Sequence, residues 1–432
     1  MNNNEIAITR PSTDQLYSKV TWRLIPFLSL CYLAAYLDRI NVGIAKLQMT
    51  GDLGFSEAIY GLGAGLFFIG YIVFEIPSNL LLQKVGARWW IARIMVTWGL
   101  LSAATMFVTT PTQFYIVRFL LGVAEAGFVP GVLLYLTYWY PTYKRGKIIG
   151  LFLMGLPAAS IIGGPLSGWI METFNGARGL AGWQWLFFLE ALPSVILGLL
   201  VFMFLPDGIR QAKWLSDDEK EELEYNLEQD HKESKQKHSI KDGIASVRVW
   251  ILCFIDMSFM MATYAIGFWL PTLLLEAGAG SVSEIGYLSA IPPLVALCTL
   301  LLLAMSSDKH RERRWHLAMP LLVGAVGLVL SIFYTDNLTM TVLCFTLANA
   351  GIVSASAVFW CLPGTFLRGA AAAVGIALIT SVANIGGFIA TSALGWLKEL
   401  TDSSSSGMLI FSAFLLMSVV LVLRLPKEEV NR

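Results

Sequence analysis

Four charged residues sit inside stretches that are otherwise apolar. Asp38 and Arg39 lie in the run from Leu24 to Lys46, and Arg118 and Glu125 in the run from Phe114 to Leu136. An ionised group at a bilayer centre costs about 2.5–3.5 kcal/mol on insertion scales, so such groups persist where they pair or line a polar path. Arg118 and Glu125 are seven residues apart, which on a helix returns them to within about 20° of one face. Asp38 and Arg39 are neighbours, about 100° apart. Two carboxylates and two guanidiniums balance to zero. Arginine grips a carboxylate through two parallel hydrogen bonds. An arriving organic anion would add one negative charge, and a proton on Asp38 or Glu125 would cancel it. The chemistry this suggests is co-transport of an anion with a proton. The competing reading is two ion pairs that only fix helix registry.

These groups must be positioned by membrane-spanning helices. The chain is 56% hydrophobic and 14% charged, with a mean hydropathy of +0.65, whereas soluble domains carry about 25% charged residues. Twelve runs approach the roughly 20 residues needed to span: 24–46, 57–82, 90–109, 113–137, 147–172, 184–205, 250–275, 285–305, 316–334, 338–360, 370–393 and 406–424. The expected fold is therefore all-α and integral to a membrane. It has two six-helix halves, 1–205 and 249–432, joined by a central cytoplasmic loop at 206–248. Of the 30 Lys and Arg residues, 25 fall in the tails and one alternate set of loops, Lys46, Arg178 and Lys398 fall in the other set, and Arg39 and Arg118 lie within spans. This asymmetry places both termini in the cytoplasm.

An internal repeat supports the two halves. Gln83-Lys84 after the second run aligns with Asp308-Lys309 after the eighth at an offset of 225 residues, the layout of a transporter built from parallel repeats. Ser216 and Glu219 in the central loop have capping-box spacing, so a short surface helix begins there. No GxxxxGK[ST] loop, Gly-x-Ser-x-Gly elbow or HExxH pair occurs. The chain is read as neither an ATP-driven subunit nor an enzyme. No cofactor, metal or nucleic-acid partner is expected, and the chain is read as a monomer. Phe359-Trp360, Thr380, Ser381 and Asn384 add uncharged groups that suit substrate hydroxyls or rings. Glu190 and Asp256 read as interfacial, and Glu75, toward the inner end of its span, as either a gate contact or a side chain snorkelling to the interface.

Taken together, Tyr36-Leu-Asp-Arg39-Ile-Asn41, Gly86-Ala-Arg88, Arg118-FLLGVAE125-Ala-Gly127, Tyr140-Pro-x-x-x-Arg145, Gly163-Gly-Pro165, Ser307-Asp308 and Glu312-Arg-Arg-Trp315 resemble the major facilitator superfamily. Within it, they resemble the anion:cation symporters. The resemblance runs through almost the entire chain. It implies uptake of a small organic carboxylate, such as a sugar acid, tartrate or an aromatic acid, by alternating access across a bacterial inner membrane. It also implies proton handling by Asp38 and Glu125, and substrate contact by Tyr36, Arg39, Tyr71, Arg118 and Trp360. Thr380 and Asn384 would complete the pocket, and Gly86, Arg88, Asp308 and Arg313 would act in gating. Leu156 replaces a substrate-contacting Gln of the family's sugar-acid carriers, Thr380 replaces an Asn, and Gln83 stands where an acid is usual. A less hydroxylated or aromatic acid therefore stays open, as do anion exchange, sodium coupling and a non-transporting sensor. A fluorescent protein fused after Arg432 is expected to fluoresce, and alkaline phosphatase fused there to be inactive. The reverse result would invert the orientation.

Overall fold

Residues 13–233, 246–363 and 370–431 are described in a computed structural model of the protein. Long helices dominate because an apolar solvent leaves every backbone N–H and C=O to be satisfied within the segment. The first half comprises α1 (Thr13–Leu53), α2 (Glu57–Val85), α3 (Ala87–Ala104), α4 (Pro111–Glu125), α5 (Phe128–Thr137), α6 (Thr142–Leu153), α7 (Gly155–Thr173) and α8 (Gly182–Phe204). A surface helix, α9 (Asp217–Glu233), follows. The second half holds α10 (Val247–Glu276), α11 (Val282–His310), α12 (Arg314–Phe333), α13 (Leu338–Phe359), α14 (Ala370–Thr401) and α15 (Ser405–Arg424). Twelve spans result, with α4–α5 and α6–α7 each forming one. An even number returns the chain to the side on which it began.

The fourth span breaks directly after Glu125. Gly127 adopts a left-handed φ of 86°, and a side chain there would collide with Ser78. Glu125 is consequently the last residue of α4. Helix α9 starts with the capping box read from the sequence: Ser216 N donates to Glu219 Oε2 at 2.8 Å, and Glu219 N donates to Ser216 Oγ at 3.3 Å. This helix is docked on the first half. Lys19 reaches Glu219 at 2.8 Å, Thr13 donates to Glu222 at 2.7 Å, and Thr142 and Arg145 both bond Asp230.

The halves meet through α2 against α14, α7 against α11 and α1 against α10. Small residues set the first two contacts, because in lipid close backbone approach does the work that hydrophobic burial does in water. A Cβ at Gly61 would lie 2.6 Å from the Thr391 carbonyl oxygen. One at Gly286 would lie 2.3 Å from that of Gly164. Gly61 and Gly286 are separated by the repeat offset of 225, so the two halves use one device twice.

Among the described residues, every hydrogen bond and ion pair joining the halves lies between Arg39 and the end remote from the termini. At that end Lys46 pairs with Glu57 at 2.5 Å, while Lys398 pairs with both Glu57 (3.1 Å) and Glu276. Lys46 Nζ sits 3.8 Å from the Trp269 ring centroid. Of these, Lys398–Glu57 and Lys46–Trp269 cross between the halves and hold the remote end shut, while the other two pairs position the lysines. The Glu57 side chain is 31% exposed, so losing its charge costs less than breaking a fully buried pair, but still removes the counter-charge of two lysines. Gly286→Leu or Glu57→Gln is thus expected to loosen the closure. A membrane-impermeant maleimide added from the remote side should then label a cysteine placed at Ser289 several-fold faster. Unchanged labelling would show that these contacts do not hold the end shut.

Candidate functional site

Helix α1 presents Asp38 and Arg39 to different surroundings, as their angular separation requires. Arg39, 8% exposed, points between the halves. Its Nη2 donates to Glu125 Oε1, and its Nη1 donates to the Tyr264 hydroxyl at 3.2 Å. Three rings surround the guanidinium, with centroids at 5.1 Å (Phe67), 5.4 Å (Tyr71) and 5.9 Å (Tyr36). Aromatic faces attract a cation without neutralising it, so they hold Arg39 in place while leaving its charge available.

Arg118 lies on the same stripe of α4 as Glu125 and is fully buried. Its guanidinium carbon stands 5.3 Å from the Phe67 ring centroid, so one ring adjoins both arginines. Neither Nε nor Nη2 of Arg118 has a hydrogen-bond partner, and Arg39 Nε is also unpartnered. Buried guanidinium donors left unmatched are costly. Here they are grouped around one ring, with Glu125 the carboxylate that pairs with Arg39.

Asp38 faces the other way, into the core of the first half. Trp98 Nε1 donates to its Oδ2 at 3.0 Å, Ser102 Oγ to Oδ1 at 2.7 Å and Ser194 Oγ to Oδ2 at 2.5 Å. These donors come from α3 and α8. The structure therefore joins Arg39, Glu125 and Arg118 with Tyr36 and Tyr71 but sets Asp38 in a separate cage. With Glu125 ionised, the inter-half cluster carries a net charge of +1, not zero.

A cavity of about 110 Å³ adjoins this cluster between the halves, lined in part by Tyr36, Asn41, Ser160, Ser167, Ser289 and Asn349. Trp360 caps the end of α13, 40% exposed and edge-on to Phe359 at 5.4 Å. Thr380 bonds its own helix at Ile376 O, and Asn384 is half-buried one turn further along α14. None of these three contacts Arg39 or Arg118. None of the four residues read as gating groups makes a hydrogen bond or ion pair to the opposite half among the described residues. Gly86 turns α2 into α3 with a φ of 97°, and Arg88 N donates to Asp207 Oδ1 at 3.1 Å while its guanidinium reaches the Phe202 carbonyl. Asp308 is exposed at the end of α11, and Arg313 N donates to Asn431 at 2.8 Å. Asp256 and Glu190 are 1% and 2% exposed and buried within the bundle, not interfacial.

Residues 28–391 match the family model described as Major Facilitator Superfamily. The chain belongs to that family. It is 58% identical over 97% of its length to the proposed metabolite transport protein NicT of Pseudomonas putida, covering 96% of that protein. A proposed tartrate transporter of Agrobacterium vitis is 44% identical over 95% of this chain and 94% of its own. The inner membrane transport protein RhmT of Escherichia coli is 37% identical over 97% of this chain and 96% of its own. Among solved structures, an inward-facing bacterial homologue of the lysosomal transporter Spinster superposes with a TM-score of 0.74 at 17% identity, covering 94% of this chain and 96% of that one. A D-xylose–proton symporter also superposes with a TM-score of 0.74, at 15% identity, over 95% and 99% of the two chains. The protein is a multi-pass membrane transporter of a small molecule and not an enzyme.

Phe67, Tyr264 and the donors to Asp38 escaped the sequence reading. Tyr264 had a signal: it follows Arg39 by the repeat offset of 225. Glu125→Gln is expected to destabilise the folded protein by about 3–5 kcal/mol, because Arg39 loses its counter-charge. The Arg39→Leu, Glu125→Leu double variant should recover most of this, as read by thermal unfolding in detergent. Additive losses would mean that the two groups do not act as a pair.

Proposed function

We propose that this protein is a proton-coupled symporter that imports a small organic carboxylate across a bacterial cytoplasmic membrane by alternating access. The observation carrying this reading is Arg118: fully buried, with two donors unmatched, 5.3 Å from the ring that Arg39 also faces. A carboxylate fits such a cationic site, since it supplies both the charge and the acceptors. The relative named for tartrate, at 44% identity, supports the same substrate class.

Coupling follows from competition for one guanidinium. Glu125 occupies Arg39 when the site is empty. A proton on Glu125 weakens that pair and frees Arg39 for the anion, so proton and anion promote each other's binding. After release, Glu125 loses its proton and takes Arg39 back, which offsets the cost of returning an unpaired charge through the membrane. Tyr36 and Tyr71 orient the shared guanidinium. Trp360, Thr380 and Asn384 meet the substrate when the second half swings inward. Asp38 carries a proton within the first half. The basic loops and tails orient the termini to the cytoplasm, so the closed remote end faces outward and the protein is poised to release inward.

Proteoliposomes test this with the organic acid that most raises the protein's thermal stability. Uptake should follow an imposed inward proton gradient. Glu125→Gln should retain anion exchange yet lose gradient-driven accumulation, while Arg118→Leu should lose binding by at least about tenfold. If uptake ignores pH and follows sodium or internal anion instead, proton symport is wrong.

A further inference from the structure

Asp38 poses a problem for any proton-coupled cycle. Its two oxygens are committed to Trp98, Ser102 and Ser194, and its exposure is 1%. It does not line the cavity between the halves. A proton held there needs a way to the space between the halves.

We propose that Glu190 is a second proton-carrying residue, placed in series with Asp38, which connects that closed cage to the inter-half cavity. The inference rests on the proton-coupled reading above. Glu190 and Ser194 are four residues apart on α8 and so share one face, about 5–6 Å apart at Cβ. Ser194 contacts Asp38. On its other side Glu190 Oε1 accepts from Ser167 Oγ at 2.7 Å, and Ser167 and Asn41 both line the cavity. Glu190 Oε2 is buried and makes no hydrogen bond of ordinary geometry, and the neutral amide of Asn41 on α1 is the group beside this carboxyl. Among the described residues no ion pair compensates this carboxyl. An acid placed here without a cation is a poor registry device, because its ionised form is opposed by burial. It is a reasonable way-station for a proton.

The neighbours of α8 bring few charges to the group. From α1, Asp38 is the one titratable residue whose field reaches Glu190. From α7 the facing group is Ser167, a neutral hydroxyl. From α3 come Trp98 and Ser102, both neutral and both bound to Asp38. One proton leaving Asp38 and one arriving on Glu190 keeps the net charge of the pair constant, so the transfer does not change the charge held in the membrane.

The test uses the full-length protein in liposomes, without substrate. Infrared difference spectra are recorded as pH is stepped across roughly pH 5 to 9. A protonated-carboxyl band should titrate, vanish in Glu190→Gln and return, shifted in frequency, in Glu190→Asp. In Asp38→Asn the midpoint of that band should fall by about one pH unit, because a neighbouring negative charge has been removed. A Glu190 band that does not titrate, or one whose midpoint ignores Asp38→Asn, would overturn the proposal. Failure of transport to follow protons, by contrast, would strike the symport reading and leave this spectrum unchanged.

Discussion

An arginine in a bilayer must be given either a counter-charge or a reason to lack one. Arg39 receives Glu125, and Arg118 receives none. Much of the first half serves this arrangement. The left-handed turn at Gly127 ends α4 at Glu125 and so fixes where the carboxylate meets Arg39. Phe67 holds both guanidiniums at similar distances from one ring. The hydroxyl of Tyr264 ties the pair to the second half, so whatever releases Glu125 from Arg39 is felt by the contact between halves. Charge compensation and conformational change are thus linked through one side chain.

Closure of the remote end obeys a different physics. Its helix contacts depend on missing side chains, at Gly61 and Gly286, and on ion pairs of the buried lysines Lys46 and Lys398. Backbones that touch in this way gain dispersion and lose nothing to solvent, and they part without exposing large apolar knobs. Such an interface suits a carrier that must open and shut, since the two arrangements need differ by only a few kcal/mol. The paired use of residues 225 apart shows why parallel repeats serve this well: one hinge chemistry, present twice, yields two symmetrical seams.

Much of this was legible in the residues. The twelve apolar runs became twelve spans, although helices such as α1 extend well beyond them. Hydropathy reports the stretch that lipid covers, while the water-facing turns of a helix are held by backbone bonds and polar ends. The four intramembrane charges stood out at once, and helical spacing correctly put Arg118 and Glu125 on one stripe. Spacing could not say which way α1 is rotated. Whether Asp38 or Arg39 turns to the centre depends on Trp98, Ser102 and Ser194, which lie 60, 64 and 156 residues away. Their hydroxyls and indole look like ordinary packing in the sequence. For the same reason the four charges balance to zero in the sequence, while the three that meet between the halves, Arg39, Arg118 and Glu125, sum to +1.

The central claim is that Glu125 and the substrate carboxylate compete for Arg39. Calorimetric titration of the best-stabilising organic acid over a series of pH values tests it most directly. The account expects affinity to strengthen as pH falls, approaching tenfold per pH unit above the pH at which Glu125 takes up its proton, and expects Glu125→Gln to bind tightly at every pH. Wild-type affinity that is flat with pH, or a Glu125→Gln variant that follows the wild-type curve, would contradict it.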